Sequence, residues 1–253
     1  MQNDPASLDR GFAALKTFDY GGDASALGPI DRAVVAAHAD SAAREDLERR
    51  LLAALADGIP PAAVEYVCRK LSRIGTAASV PALAQFLGDP KRSHLARIAL
   101  ERIPAAEAGA AIRAAVTNVQ GDLTIGMISS LAGRRDAAAV PLLASLLTAA
   151  PPTAVAAADA LGRIGSPEAI KALDAFAAGG DAAIPAAVRA AVVDARLSGA
   201  EALLGAGRAA DALAVYRSLA KAAAGKPADK WIELAATRGI AVCLDSNPAG
   251  SAS

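Results

Sequence analysis

The amino-acid sequence predicts an all-α fold, a right-handed α-solenoid of stacked antiparallel helix pairs. Two observations favour this class. A short motif that begins at Leu71 returns at Leu100, Leu131 and Leu161, at spacings of 29, 31 and 30 residues, and self-similarity at such a period is typical of stacked repeats. Alanine supplies 70 of the 253 residues and aromatic residues only 3%, which favours closely packed helices over a β-sheet.

Residues 1–58 are predicted to form a helical cap at the N-terminal end. Asp4 and Pro5 are suited to begin a first helix, a second is expected over 29–38, and a third over 41–56. The third has charged residues on one side and leucines on the other. A repeat array exposes its first core unless an end unit with a polar outer face covers it. We therefore interpret this segment as the end unit.

Residues 59–180 are predicted to hold four repeats of two helices each. The eight helices are expected over 61–74, 79–87, 91–103, 105–116, 122–131, 138–147, 153–164 and 167–177. Gly75 and Gly165 follow first helices, where glycine can adopt the left-handed conformation that ends a helix. The second helices also repeat an apolar position, and neighbouring pairs are expected to bury it in a shared core. Its members are Leu83, Ile112, Leu143 and Leu173.

The segment 71–87 carries a resemblance to a known family. Its pattern, Leu-x-x-Ile-Gly-x-x-x-x-Val-Pro-x-Leu-x-x-x-Leu, resembles bacterial HEAT repeats, and the period near 30 residues is closer to the short repeats named after phycobilisome lyases. The resemblance implies an armadillo-like superhelix that serves as a binding scaffold. Two repeats depart from the pattern. Pro104 replaces the turn glycine of the second, and Arg134 and Arg135 stand where the third should have Ile and Gly.

Residues 181–245 are predicted to form a C-terminal helical cap, and residues 246–253 a flexible tail. Part of the cap is similar to one tetratricopeptide hairpin, in which Ala200 and Ala212 let two helices approach and Tyr216 fills the gap. A last helix over 229–244 is expected to turn three large apolar residues inward. They are Trp231, Leu234 and Ile240.

The composition argues against two classes of partner. The chain carries 26 basic and 26 acidic residues, whereas a protein that grips a phosphate backbone usually has a positive balance, so we expect no nucleic-acid partner. No apolar run is long enough to cross a bilayer, and we expect no membrane insertion. The first residues lack the basic and apolar stretches of a signal peptide. The protein is therefore expected to be cytoplasmic, or exported with its signal absent from this chain.

No constellation of residues in the sequence is suited to chemistry. His38 and His94 are not followed by the glutamate with which HEAT-repeat hydroxylases hold iron, and we expect no metal site. Cys68 and Cys243 lie in apolar helical patterns and are expected to be buried free thiols. The sequence has neither a Gly-x-Ser-x-Gly motif nor a glycine-rich phosphate loop. We therefore predict no catalytic residue and no cofactor.

Two sets of residues are candidates for contact with a partner. In solenoids of this type the second helices line the concave face, and their outward residues are predicted to bind a partner protein: Gln85, Arg113, Ser145, Lys171 and Asp174. An arginine ladder lies near the ends of the first helices: Arg73, Arg102, Arg134 and Arg163. The ladder is either a basic stripe for an acidic partner or a set of cations that oppose the negative helix ends, and its recurrence with the fold favours the second interpretation.

The sequence thus predicts a non-catalytic scaffold or adaptor, a monomer that binds another protein on its concave face. The resemblance leaves open a chromophore-lyase-like enzyme or enzyme subunit, which would change the visible absorption of a tetrapyrrole. Nucleic-acid binding is the third hypothesis, and it would be steeply salt-dependent. The resemblance also implies that such alanine-rich arrays can be parts of larger bacterial proteins.

Overall fold

A computed structural model describes residues 5–179 and 184–246, and the predicted all-α character is confirmed over these residues. They form fourteen α-helices and four short 3-10 turns, without a strand. The chain divides into two compact units, residues 1–130 and 131–253. The limits of the repeat array, predicted at 59 and 180, stay predictions, because this division reflects compactness and not repeat type. Residues 1–4, among them the predicted helix cap Asp4, residues 180–183 and the part of the predicted tail from 247 onward lie outside the described residues.

The first unit contains helices α1 to α7 and most of α8. Their bounds are Pro5–Leu15 (α1), Gly28–Ala36 (α2), Ser41–Ala56 (α3), Pro61–Ile74 (α4), Val80–Ala84 (α5), Ser93–Arg102 (α6), Ala106–Val116 (α7) and Asp122–Gly133 (α8). Helices α3 and α4 have the bounds predicted from the sequence, because their start signals are local. The Asp40 carboxylate accepts from the Ala43 backbone N–H at 3.1 Å, and Pro61 occupies the first turn of α4.

A buried carboxylate joins α3 to the turn that follows α4. Glu48, which is only 3% exposed, accepts from the Thr76 backbone N–H at 2.7 Å and from the Thr76 hydroxyl at 2.9 Å, and the Ser79 hydroxyl donates to it as well. One turn earlier on α3, Arg44 Nε donates to the Ile74 carbonyl at 2.7 Å. The end of one helix is thus capped by side chains of the preceding helix, which ties neighbouring helices together.

The left-handed conformation predicted for Gly75 is wrong, whereas that of Gly165 is confirmed. Gly165 has φ +62°, but Gly75 has φ −58°. Space explains the glycine at 75: a Cβ atom there would lie 2.5 Å from the Leu71 carbonyl oxygen and 2.9 Å from Ile103 Cδ1. At position 75 glycine therefore serves close packing, whereas at 165 it serves the left-handed backbone and also leaves room for Ala202.

The second unit contains the end of α8 and helices α9 to α14. Their bounds are Val140–Leu146 (α9), Pro151–Ile164 (α10), Pro167–Ala178 (α11), Ala186–Gly205 (α12), Ala209–Ala223 (α13) and Lys230–Ser246 (α14). Helices α10 and α12 pack tightly at Gly162, where a Cβ atom would lie 2.7 Å from the Cα atom and from the carbonyl oxygen of Ala195. This contact fixes α12, from which both cavities described below are built.

The hairpin of α12 and α13 follows the prediction, but the inward face of α14 does not. Ala200 and Ala212 are fully buried and Tyr216 is nearly so. Trp231 and Leu234, expected inside, are 49% and 61% exposed, and Ile240 is half-buried. The buried face of α14 consists of Ile232, Ala236, Gly239 and Cys243. Small residues are needed there because a Cβ atom on Gly239 would lie 2.5 Å from the Tyr216 ring.

Candidate functional site

The five predicted partner-binding residues lie on the second helices or directly after them. Gln85, Ser145 and Lys171 are exposed, while Arg113 and Asp174 are half-buried. Gln85 and Arg113 belong to the first unit and the other three to the second. The Ser145 hydroxyl donates to the Leu142 carbonyl at 2.7 Å within its own helix, so it is bound to its own backbone.

Asp174 takes part in a polar cluster that joins three helices. Its Oδ1 atom accepts from Arg196 Nε at 2.7 Å, and Arg196 Nη2 donates to the Ser218 hydroxyl at 2.9 Å. Arg196 is only 5% exposed. The pair connects α11 to α12 and the second bond connects α12 to α13, so the guanidinium is held in one orientation.

Arg196 escaped the sequence prediction, although the sequence contained a signal for it. It follows Val188 and Val192 at spacings of four residues, on the face of α12 that the structure buries. An arginine at a position of an apolar stripe needs a partner to be buried. The partner, Asp174, lies 22 residues away on another helix, and its distance from Arg196 could not be read from the spacing.

The guanidinium lies at the wall of a cavity of about 370 Å³ in the second unit. The ends of α11 and α13, the first half of α12 and Ile232 of α14 surround this cavity. Its wall is mainly apolar, and four charged side chains also line it: Arg189, Arg196, Lys226 and Asp229. We call it the Arg196 cavity. Three cations against one carboxylate give it a positive balance.

The charges that line the Arg196 cavity are held to different degrees. Arg196 is tied to Asp174, and Arg189 Nη1 donates to the Ile184 carbonyl. Lys226 is exposed and makes no ion pair with any residue that the structure describes. An apolar group in the cavity could therefore be accompanied by an anionic group at Lys226 or Arg189 without breaking an existing ion pair.

The arginine ladder lies at the helix ends where the sequence predicts it. Arg73, Arg102 and Arg163 occupy the last turns of α4, α6 and α10, and Arg134 follows α8. Arg163 Nη1 lies 3.8 Å from Asp159 Oδ2, one turn earlier on α10. At the end of α4 the carbonyl groups of Ile74 and Gly75 are bound by Arg44, a residue of the preceding helix. The cations of the ladder are thus positioned to oppose the helix dipole.

The titratable groups give no sign of an activated nucleophile. Burial raises the pKa of the Cys68 thiol to about 12, and it also raises the pKa of Cys243. Both thiols are free and buried. A thiol with a raised pKa is protonated at neutral pH and therefore a poor nucleophile.

The described residues contain neither a cluster of metal ligands nor a membrane-spanning helix. Over 5–179 and 184–246 no three side chains of His, Cys, Asp or Glu are grouped as a metal ion would require. None of the helices in these ranges has the length and hydropathy to span a membrane. Comparison with known proteins was negative as well: no protein-family model and no curated protein matches this chain.

Proposed function

We propose that the protein is a non-catalytic scaffold that binds a partner protein, and that its helix pairs are HEAT-like repeats of a right-handed α-solenoid. Burial of the repeated positions supports the repeat interpretation. The four anchor leucines at 71, 100, 131 and 161 are fully buried, and so are the four equivalent residues of the second helices. Residues that recur at one period and are all buried have the same role in successive helix pairs.

The observation that carries the binding proposal is the Arg196 cavity. Its size and mainly apolar wall suit one large side chain of a partner, and anchors of this kind supply much of the binding energy of protein interfaces. The bonds from Arg196 to Asp174 and Ser218 fix the wall before any partner arrives. A pre-organised wall lowers the ordering cost of association.

The charges at the cavity indicate the kind of segment that would bind. Arg189 and Lys226 lie at a cavity with a positive balance. A partner segment with an apolar anchor followed by an acidic residue is complementary to it in both respects. Lys171, one of the predicted partner-binding residues, is exposed on α11, whose C-terminal end contributes to the same cavity.

The test fills the cavity without disturbing the core. Ala222 of α13 is exposed and lines the cavity, so A222W would place an indole in the space intended for the anchor. Ala214 is exposed on the same helix and does not line the cavity, which makes A214W the matched control. Immobilised intact protein, A222W and A214W are compared for retention of proteins from a lysate of the source organism.

We expect a protein that the intact chain and A214W retain and that A222W loses. Equal retention by A222W would contradict the assignment of the cavity. A change in the visible absorption of an added tetrapyrrole would instead favour the chromophore-lyase hypothesis. Steeply salt-dependent binding of nucleic acid would favour the third hypothesis.

A further inference from the structure

The turn after α8 holds an arginine in a conformation that favours glycine. The Arg135 N–H donates to the Ala132 carbonyl at 3.0 Å and the Asp136 N–H to the Leu131 carbonyl at 3.1 Å. This pair of bonds is the Schellman motif, which requires a left-handed residue after the helix. Arg135 has φ +50°, and within the described residues it is the one position other than glycine with a positive φ.

Glycine occupies the equivalent place in the turns after α10 and α12. Gly165, 30 residues further on, has φ +62°. Gly207 has φ +77° and the same pair of bonds, from Gly207 N–H to the Leu204 carbonyl and from Arg208 N–H to the Leu203 carbonyl. An L-residue is strained in this conformation and glycine is not. Residues strained in this way cluster at functional sites.

The Arg135 side chain lines a second cavity, of about 420 Å³, together with Arg163 of the arginine ladder. Ser198 and Glu201 of α12 contribute its other polar groups. Small residues, among them Gly133 and Gly162, complete its lining. We call this the Arg135 cavity. Its walls are the ends of α8 and α10 and the middle of α12, and the close contact at Gly162 fixes α12 against α10.

The charges of the Arg135 cavity match a singly charged anion. Arg135 makes no ion pair with any described residue, and the nearest carboxylate oxygen to Arg163 is that of Asp159 at 3.8 Å, a weak contact. Both guanidinium groups are therefore available to a ligand. Glu201 adds one negative charge, which opposes a phosphate dianion more than a carboxylate and can accept from a peptide N–H.

We propose that the Arg135 cavity binds the side-chain carboxylate of an acidic residue in a partner polypeptide. Arg135 and Arg163 donate to the carboxylate, and Glu201 accepts from a neighbouring backbone N–H of the same segment. The assignment rests on the proposed function in one respect, since it takes the ligand to be a protein. It adds a contact that is separate from the Arg196 cavity and uses the strained arginine that the repeat pattern does not require.

The test uses a fluorescein-labelled hexaglutamate peptide as the probe and fluorescence anisotropy at low ionic strength as the measurement. Arg135→Gly removes one guanidinium and restores the residue that the turn favours, so the variant should fold with an unchanged or higher melting temperature. Arg217→Ala is the matched control, because Arg217 is exposed on α13, lines neither cavity and changes the net charge equally. A hexaglutamine peptide controls for the probe.

We expect the intact protein and Arg217→Ala to bind hexaglutamate equally, and Arg135→Gly to bind it about tenfold more weakly, because charge-assisted hydrogen bonds are lost. An equal loss in both variants, or no binding of hexaglutamate by the intact protein, would overturn the proposal. Displacement of the peptide by inorganic phosphate more readily than by acetate would overturn its assignment to a polypeptide carboxylate. None of these results depends on the capture experiment with A222W. The proposal for the Arg135 cavity can therefore be refuted while the proposal for the Arg196 cavity stands, and the reverse.

Discussion

Gly162 lets α10 pack tightly against α12, and its replacement by alanine tests this packing, on which the Arg135 cavity depends. A Cβ atom at this position would lie 2.7 Å from two backbone atoms of Ala195, whereas ordinary van der Waals contact begins at 3.4 Å. Backbone atoms cannot relieve such a clash by rotating about a side-chain bond, as the end of a flexible side chain can. We therefore expect G162A to push α10 and α12 apart by about 0.7 Å at this point.

Two effects of G162A on the free energy of unfolding oppose each other. Alanine is favoured over glycine within a helix by about 0.5–1 kcal/mol. Overpacking of a well-packed contact costs about 1–3 kcal/mol, and a clash with backbone belongs at the upper end of that range. The steric effect is the larger, and we expect the variant to lose about 1–2 kcal/mol of stability.

The assay is urea denaturation followed by helical circular dichroism, with G205A as the control. Gly205 lies in the last turn of α12, and a Cβ atom there would meet nothing within 4 Å. G205A should therefore be as stable as the intact protein or slightly more stable. A G162A variant as stable as G205A would show that the helices relax without cost and would refute this account of the packing.

Two more predictions concern single side chains. Folding raises the pKa of Cys68 from 9.0 to about 12 because the thiol is buried, so the folded state favours the protonated thiol. The contribution of this group to the free energy of unfolding is present below pH 9 and is lost as the pH rises towards 12. In a Cys243→Ser background, Cys68 should react with a thiol reagent about 100-fold more slowly in the folded protein than in urea, and similar rates would contradict its burial. Trp231, the one tryptophan of the chain, is 49% exposed, and its fluorescence should be quenched by acrylamide in the folded protein nearly as well as in urea. A shielded tryptophan would contradict the orientation of α14.

The sequence predicts helices and their core well where the determining interactions are local. The bounds of α3 and α4 follow from a capping aspartate and a proline in the first turn, both readable within a few residues. The leucines of the repeat are buried as their period predicts. Periodicity succeeds for these leucines because each recurrence of the motif in the sequence provides a separate indication of the same buried position.

Prediction fails where the outcome depends on a residue distant in sequence. The inward face of α14 was assigned to large apolar residues, yet the Tyr216 ring lies against Gly239 and selects the face of small residues. The left-handed turn expected at Gly75 is absent, and the glycine there instead leaves room for Ile103. In both cases the distance between two packed helices determines which residue fits. This distance depends on both helices and cannot be read from the sequence of one of them.

The two candidate cavities have different relations to the sequence. The burial of Arg196 could be suspected from its place in an apolar stripe, but its pairing with Asp174 required the packing of α11 against α12. Arg135 was visible as a departure from the repeat, at the place where glycine is expected. Its strain and the nearness of Arg163 required the backbone and the position of α12.

Departures from a repeat are the places where a binding site is most readily distinguished from structure. Positions that recur in every repeat, such as the buried leucines, are accounted for by contacts between neighbouring helix pairs. An arginine at the position of Arg135 occurs in none of the other predicted repeats, and Arg135 adopts a backbone conformation that glycine would adopt without strain. Within the described part of the second unit, the Arg135 side chain forms no ion pair. The two backbone hydrogen bonds of the turn hold Arg135 in this conformation, and they leave its guanidinium to the acidic segment of a partner proposed for the Arg135 cavity.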